Sequence, residues 1–404
     1  MIPTAPLPAE TRKVILICPL DWGLGHMTRD LPLIKAFRND GHRVIVAASA
    51  RLIQWLKKEY PEVETTVFPG PEIKYGSKAF LVVKLIFQLP RLWLWYKKEK
   101  RITAGLVKKY RPQLIVSDNR YGVRHPSVLS VIITHQLMVK LPKPIKWMEY
   151  PVHLVIKKLL QKFNQCWVPD FKKENSLAGD LVHKYPYPKN VTFIGPLSRF
   201  DDPDLTINES IKTDKGNILA IISGPEPHRT HLEHKLNFLF RHFAGKVCLI
   251  RGTNFNNDFL VKKTPNIEIY NYLPTSELFQ KIMAYETILC RSGYSTIMDM
   301  YVLNKNMVMV PTPGQTEQEY LAKYHDKRNH LRLILNRKNL SNPFDTLSIL
   351  NPANHKPKRK SASTIPAPPE ISDKHTKTYN CNSPEKNGIS QPRPNFREIL
   401  KNIF

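Results

Sequence analysis

Acidic residues are scarce in this sequence beside its basic ones. Its 404 residues carry 34 Asp+Glu against 61 Lys+Arg, a formal charge of +27. From Arg337 to Lys401 there are 12 basic and 5 acidic residues, so +7 belongs to that tail and +20 to the rest. A field of that sign selects anionic partners: nucleoside diphosphates, an anionic membrane surface or nucleic acid. Cysteine is also sparse. The five are scattered, no C-x-x-C occurs, and neither a metal cluster nor a disulfide framework is expected. Cys18, Cys248 and Cys290 fall in apolar strands and Cys166 in a short one, each a small buried hydrophobe. The opening MIPTAPLPAETRK has no apolar h-region, so no signal peptide is expected and a reducing cytoplasm fits. The longest apolar stretch is broken by Lys84, Pro90 and Arg91, which excludes a spanning helix there. Zinc-knuckle, RRM and helix-turn-helix patterns are all missing, and nucleic acid is set aside as a partner.

What the chain does have is a β-α-β rhythm. Continuous apolar runs at 13–18, 43–48, 63–68, 113–117 and 128–133 read as buried parallel strands separated by helical stretches. Cys166 to Val168 and Val191 to Gly195 close that series. Pro, Asp, Asn and Thr break the pattern over 196–216, a linker. The rhythm resumes with strands at 217–222, 246–251, 266–270, 286–290 and 306–310. The expected plan is a flexible 1–12, a first α/β domain over 13–195, the linker, a second α/β domain over 217–335, and a disordered, basic, Pro-rich 336–404.

Chemistry concentrates where these strands end. Polar residues at the carboxyl ends of parallel strands face the ligand crevice in open α/β sheets. In the first half those positions are Gly23, Gly25 and His26 before a helix from about Thr28, then Asp118, Asn119 and Arg120, then His135. In the second half a strand ends in Ser223-Gly224 before a helix, with Arg229 available for a phosphate. Another ends in Arg291-Ser292-Gly293, after which Ser295 or Thr296 starts a helix carrying Asp299. Strand, Gly turn and helix N-terminus make an anion site, because unpaired N–H groups and the helix dipole face the ligand. Asp299, one turn in, is placed to accept ribose hydroxyls. An ordinary α/β unit with a Gly turn and a surface acid would read the same way.

The run RSGxxTxxD, followed by a strand, P-x-P and Q-E-Y, resembles the donor-binding C-terminal domain of MurG-like glycosyltransferases of family 28. The resemblance covers most of residues 13–325. It implies a GT-B architecture, two Rossmann-like domains facing across a cleft, and a metal-independent, inverting transfer of a hexose, of N-acetylhexosamine type, from a UDP-sugar to an unknown, lipid-linked or other hydroxyl. His26 is then the catalytic base with Asp118 to orient it. Gly23, Gly25, Asn119, Arg120 and His135 line the acceptor side. Ser223, Gly224, Arg229, Ser292, Gly293, Ser295, Thr296 and Asp299 hold the donor. Tyr272 and Leu273 lie where the family holds the base by backbone and apolar contacts. Gln318 and Glu319 stand where it has paired glutamines on the sugar, so the second position departs from the pattern. The resembled enzymes finish with helices packed back on the first domain, and none is recognisable after His330. Asp201, Asp202 and Asp204 read D-D-P-D in a linker and give no D-x-D, so no metal and no cofactor besides the donor is expected. A nucleotide-sugar hydrolase or epimerase on the same fold, or a non-catalytic nucleotide-sugar binder, is the alternative.

One segment stands outside this scheme. Lys74 to Lys109 holds ten Lys+Arg against the single acid Glu99, interleaved with Trp93, Trp95 and Tyr96. It reads as two amphipathic core helices, as a peripheral contact with the inner face of a membrane, or as both.

Overall fold

The structure is a computed structural model and describes residues 12–70, 81–208, 214–224, 226–241, 243–253 and 260–328. The tail after 328, Cys381 and the start of the basic segment lie outside the described residues.

The first domain runs β1 (Val14–Cys18), α1 (Leu24–Asn39), β2 (Arg43–Ala48), α2 (Ala50–Glu59), β3 (Glu64–Val67), α3 (Leu81–Tyr110), β4 (Leu114–Asp118), β5 (Leu129–Ile133), α4 (Glu149–Leu160), β6 (Gln165–Val168), α5 (Asp180–His183) and β7 (Val191–Phe193). Its seven strands are all parallel, in the order β3-β2-β1-β4-β5-β6-β7. The second domain runs β8 (Asp214–Ile221), α6 (His228–Phe240), β9 (Val247–Ile250), β10 (Leu260–Lys263), β11 (Ile267–Tyr270), α7 (Thr275–Ala284), β12 (Tyr285–Cys290), α8 (Tyr294–Val302), β13 (Met307–Met309) and α9 (Thr316–Arg328). Its order is β10-β11-β9-β8-β12-β13, with only β10 antiparallel. Both sheets start in the middle, build outward to one side, then return and build to the other. The reversal lies between β1 and β4 in one sheet and between β8 and β12 in the other, and ligands bind at such switch points.

The interior strands are as apolar as burial on both faces requires. Ile15 to Cys18, Leu114 to Val116 and Ile288 to Cys290 are all buried, as are four of the five cysteines, which are free thiols. Three expectations need correction. First, α1 begins at Leu24 rather than Thr28, because Gly23 turns the chain at φ +107° and the helix follows at once. Second, α3 is one 30-residue helix with Pro90 inside it, not two; a single proline removes one backbone bond from a helix without ending it when the flanks stay helical. Third, β8 starts at Asp214, three residues before the expected boundary.

The two domains share a core. One cluster joins Ile132, Leu137, Leu160 and Leu177 of the first domain to Leu219, Ile288, Met298 and Leu321 of the second. Helix α9 bridges the two. The Tyr320 hydroxyl accepts from Asp180 N (2.6 Å), Tyr324 donates to Ser176 O (2.9 Å), and His325 Nε2 donates to Leu177 O (2.8 Å). The packing back on the first domain is thus made by α9, ahead of the tail.

Candidate active site

His26 sits in the first turn of α1, directly after the switch-point strand β1, and Asp118 is the last residue of the neighbouring strand β4. Their side chains meet, with His26 Nδ1 2.9 Å from Asp118 Oδ2. A carboxylate can only accept, so Nδ1 carries the proton and Nε2 is the basic nitrogen. Arg29, one turn along α1 from His26, clamps the same carboxylate with two bonds, Nε to Oδ2 (2.9 Å) and Nη2 to Oδ1. Burial alone would raise the Asp118 carboxyl, but the Arg29 guanidinium and then His26 outweigh it and hold it at about 2. Asp30 lies against Asp118 as well. Burial, reinforced by the Asp118 charge, pushes its carboxyl well above the usual range.

The chain of polar contacts continues across the cleft. Arg29 Nη1 donates to His135 Nδ1 (3.1 Å), which fixes the His135 proton on Nε2, and Nε2 donates to Glu317 Oε1 (2.8 Å). Gln136 also donates to Glu317. Burial pushes the His135 imidazole down despite the Glu317 charge. The Glu317 carboxyl, which burial would raise, is pulled down instead by His135 and then by the charges of His26 and Arg29. Tyr294 stacks on the His135 ring, centroids 4.1 Å apart and planes 6° off parallel. So His26, Asp118 and His135 do come from three strand ends to one place. Arg29 and Glu317 complete the group and were not among the expected residues. For Arg29, the i+3 spacing from His26 on a helix was the usable signal.

The two halves approach closely at Gly25, where Ser295 Oγ donates to the Gly25 carbonyl (2.9 Å). A Cβ on Gly25 would stand 2.9 Å from that same Oγ, so only glycine allows the contact. Gly23 has open space around it. Asn119, at φ +57°, accepts from Thr134 Oγ1 (3.2 Å). Arg120, expected on the acceptor side, is turned inward instead. It is bonded to Glu99 (2.9 Å), Phe68 O (3.2 Å) and Pro69 O (2.9 Å) and ties α3 to the ends of β3 and β4. Its guanidinium is paired there with the buried Glu99 carboxylate, and two backbone carbonyls accept from its two terminal nitrogens.

On the second domain, Ser223 and Gly224 (φ +147°, open space) end β8, and Ser292 and Gly293 end β12 at the head of α8. Ser292 Oγ donates to Gln318 O (2.9 Å). Thr296 stands near Gly293, with its hydroxyl 3.9 Å from where a Cβ there would be. Arg291, just before them, is buried and, among the described residues, bonded only to carbonyls: His228 O at 2.8 Å and Val310 O at 3.2 Å, with Pro311 O at 3.4 Å. No carboxylate pairs with it among the described residues, and burial pushes it down to about 10. A fixed, uncompensated cation between the ends of β12, β13 and the head of α6 favours an anionic ligand.

Several expected donor residues are already engaged. Arg229 is held by Glu226 and Glu233 (3.0 Å) rather than left for a phosphate; carboxylates three residues before and four after it on the same turn claim it. Asp299 Oδ1 accepts from Ser198 Oγ (2.6 Å) of the linker, and burial pushes its carboxyl up to about 6 against the pull of Arg199 and Ser198. Gln318 Oε1 accepts from Thr312 N (2.9 Å) and Glu319 Oε1 from Gly314 N (3.0 Å), bracing the Pro-Thr-Pro-Gly turn. The Tyr272 hydroxyl donates to Glu59 of the first domain, and Leu273 is buried in the shared core.

Comparisons with known proteins fit this layout. Residues 226–368 match the glycosyltransferase family 28 C-terminal domain, a stretch that begins just before α6 and runs past the last described residue. No curated protein matches the chain. Among solved structures it is similar to the glycotransferase of kitacinnamycin, with a TM-score of 0.57 and 15% identity over 85% of this chain and 92% of that one. It is similar to CalG4, the calicheamicin glycosyltransferase, with a TM-score of 0.56 and 15% identity over 84% and 89%. Arabidopsis thaliana UGT89C1 complexed with UDP-L-rhamnose gives 0.56 and 12% over 85% and 90%. At such identities the likeness is one of fold, and the fold is the two-domain GT-B architecture.

Proposed function

We propose that the chain transfers a sugar from a nucleoside-diphosphate-sugar to a hydroxyl acceptor, with His26 as general base. The observation that carries this is the His26–Asp118 pair at 2.9 Å, clamped by Arg29 at the switch point of the first sheet and held against the second. As the acceptor oxygen attacks the anomeric carbon, its proton passes to His26 Nε2. The bond from that carbon to the diphosphate oxygen breaks, and the diphosphate leaves with the electron pair. Asp118 stabilises the imidazolium, as carboxylates do for catalytic histidines. The charge leaving with the diphosphate is met by the head of α8, the Ser223-Gly224 turn and the Arg291 guanidinium, all fixed before reaction. Direct attack on one face implies inversion. A UDP-hexose of N-acetylhexosamine type is our reading of the donor, from the RSGxxTxxD run, and a divalent ion is not required by this scheme.

His26→Ala tests it. Turnover should fall by roughly 10²–10⁴-fold, the usual contribution of a general base, while donor affinity measured by calorimetry stays unchanged. Turnover near the wild-type rate, or donor affinity lost in step with rate, would sink the assignment.

A further inference from the structure

We propose that Asp30 is a positioning residue for the base: a neutral carboxylic acid that shares its proton with Asp118 and sets how tightly that carboxylate holds the His26 ring. Asp30 follows Arg29 on α1 and lies four residues after His26, so the two project from one face of the helix. The same row continues as Leu33 and Phe37, both fully buried. Asp30 is itself 0% exposed, so a carboxyl group fills a position that the rest of the row gives to the core. An aspartate is almost never buried to that extent unless it is paired.

What Asp30 pairs with is another carboxyl. Asp118 accepts three hydrogen bonds, one from His26 and two from Arg29. Neither oxygen of Asp30 has an N–H or hydroxyl donor among the described residues. The group within hydrogen-bonding reach of it is Asp118. Two carboxylates cannot hydrogen-bond each other, because each only accepts; the bond forms when one of them holds a proton. The surrounding donors decide which one. Arg29 and His26 fix the charge on Asp118, so the proton is left on Asp30. Burial and the Asp118 charge accordingly push the Asp30 carboxyl well above the usual range, against the pull of Arg29. Like other close carboxyl pairs, the two titrate as one unit.

Charge balance gives this proton its use. Arg29 already answers two carboxylates, Asp118 directly and Glu317 through His135. The Cys18 thiol of β1, close enough to feel Asp30, stays neutral, held up at about 12 by burial. A third negative charge, on Asp30, would draw a proton onto His26. An imidazolium has no lone pair left to take one from the attacking hydroxyl. Held neutral, Asp30 leaves the ring free to act as a base. As a donor to Asp118, it also weakens the carboxylate's pull on the ring. Asp30 has this role only if His26 is the base, yet its proton can be observed without turnover.

Infrared difference spectra of the full chain, wild type minus Asp30→Asn at neutral pH, look for the proton itself. A carboxylic-acid C=O band is expected. It should be missing from the same difference taken in an Asp118→Asn background, where Arg29 is left to claim Asp30 as its carboxylate. His26→Ala should keep the band, so a failed base assignment leaves this result standing. The second readout is the pH midpoint of the His26 imidazole resonance, assigned by its absence from His26→Ala. Asp30→Asn retains a neutral donor of the same size and should keep the wild-type midpoint. Asp30→Leu removes the donor, and the midpoint should rise by about one pH unit, a tenfold change in proton affinity. No acid band, or a midpoint that falls in Asp30→Asn, overturns the proposal, because either means that Asp30 carries a charge. So does a band that persists beside Asp118→Asn, where no shared proton remains. Asp30→Leu titrating like wild type overturns it as well, leaving Asp30 a buried acid with no hold on the base. If Asp118→Asn fails to fold, the Asp30→Asn and Asp30→Leu pair decides alone.

Discussion

Breaking the Arg29–Asp118 clamp should cost more than removing it altogether. Both side chains are all but inaccessible, 1% and 0% exposed, and two charge-assisted bonds join them. Arg29→Met leaves the Asp118 charge buried with only His26 to face it; Asp118→Asn leaves a buried guanidinium without the carboxylate that clamps it. Stranding one ion of a buried pair costs about 3–5 kcal/mol. The double variant buries two neutral groups of similar size and should lose no more than either single, so the cycle should show a coupling of about 3 kcal/mol. The pH dependence gives an independent check. Asp118 sits at about 2 in the folded chain, against an ordinary value of about 3.9, which corresponds to about 2.5 kcal/mol. Because the folded value is depressed, this stability is complete above about 4 and lost as pH falls through about 2. Urea unfolding of the four proteins at neutral pH measures the cycle, and acid titration of wild type against Asp118→Asn measures the slope. Costs that add to within about 0.5 kcal/mol would refute the clamp as a coupled unit.

Glu317→Gln keeps an acceptor for His135 but removes a negative charge felt by His26. The acid limb of kcat/KM should move to lower pH while kcat falls less than about tenfold, and an unmoved limb would separate Glu317 from the base. Asp299→Asn should raise the melting temperature at neutral pH. The folded carboxyl is pushed up to about 6, so the stability it contributes is complete below about 4 and lost as pH rises through 6, by up to about 3 kcal/mol. Parallel melting profiles for the two proteins across that window would show that the Asp299 charge is not strained.

Much of the architecture could be read directly because parallel strands buried on both faces are written as unbroken apolar runs, such as Val14–Cys18 and Leu114 to Val116. The edge strand Leu260–Lys263 escaped, since an exposed antiparallel strand with two lysines carries no such signature. Strand ends located His26, Asp118 and His135, because topology alone puts them on one edge. Side-chain direction was another matter. Arg120 follows Asp118 by two residues and could have turned either way; Glu99, 21 residues earlier, decides it. Glu317 meets His135 across 182 residues of sequence, and no local pattern announces a partner that distant. Arg229, Gln318 and Glu319 were legible as polar residues at helix starts, but not as groups already spoken for by their own turns.

Helix α9 has a consequence for how the chain is made. The first domain ends in sequence near residue 195, yet Leu177, Ala178 and Leu181 share a cluster with Leu321 and Ala322. Gly179 is so close to Tyr320 and Tyr324 that a Cβ there would stand 2.5 Å from one hydroxyl and 2.6 Å from the other ring. Emerging from the ribosome at about 5–20 residues per second, the first domain waits roughly 7–27 s with that patch uncovered before α9 follows. During that interval it presents an apolar, glycine-floored notch to whatever is nearby. Chaperone engagement of the nascent chain should therefore peak after α5 has emerged and fall once residue 328 has left the exit tunnel.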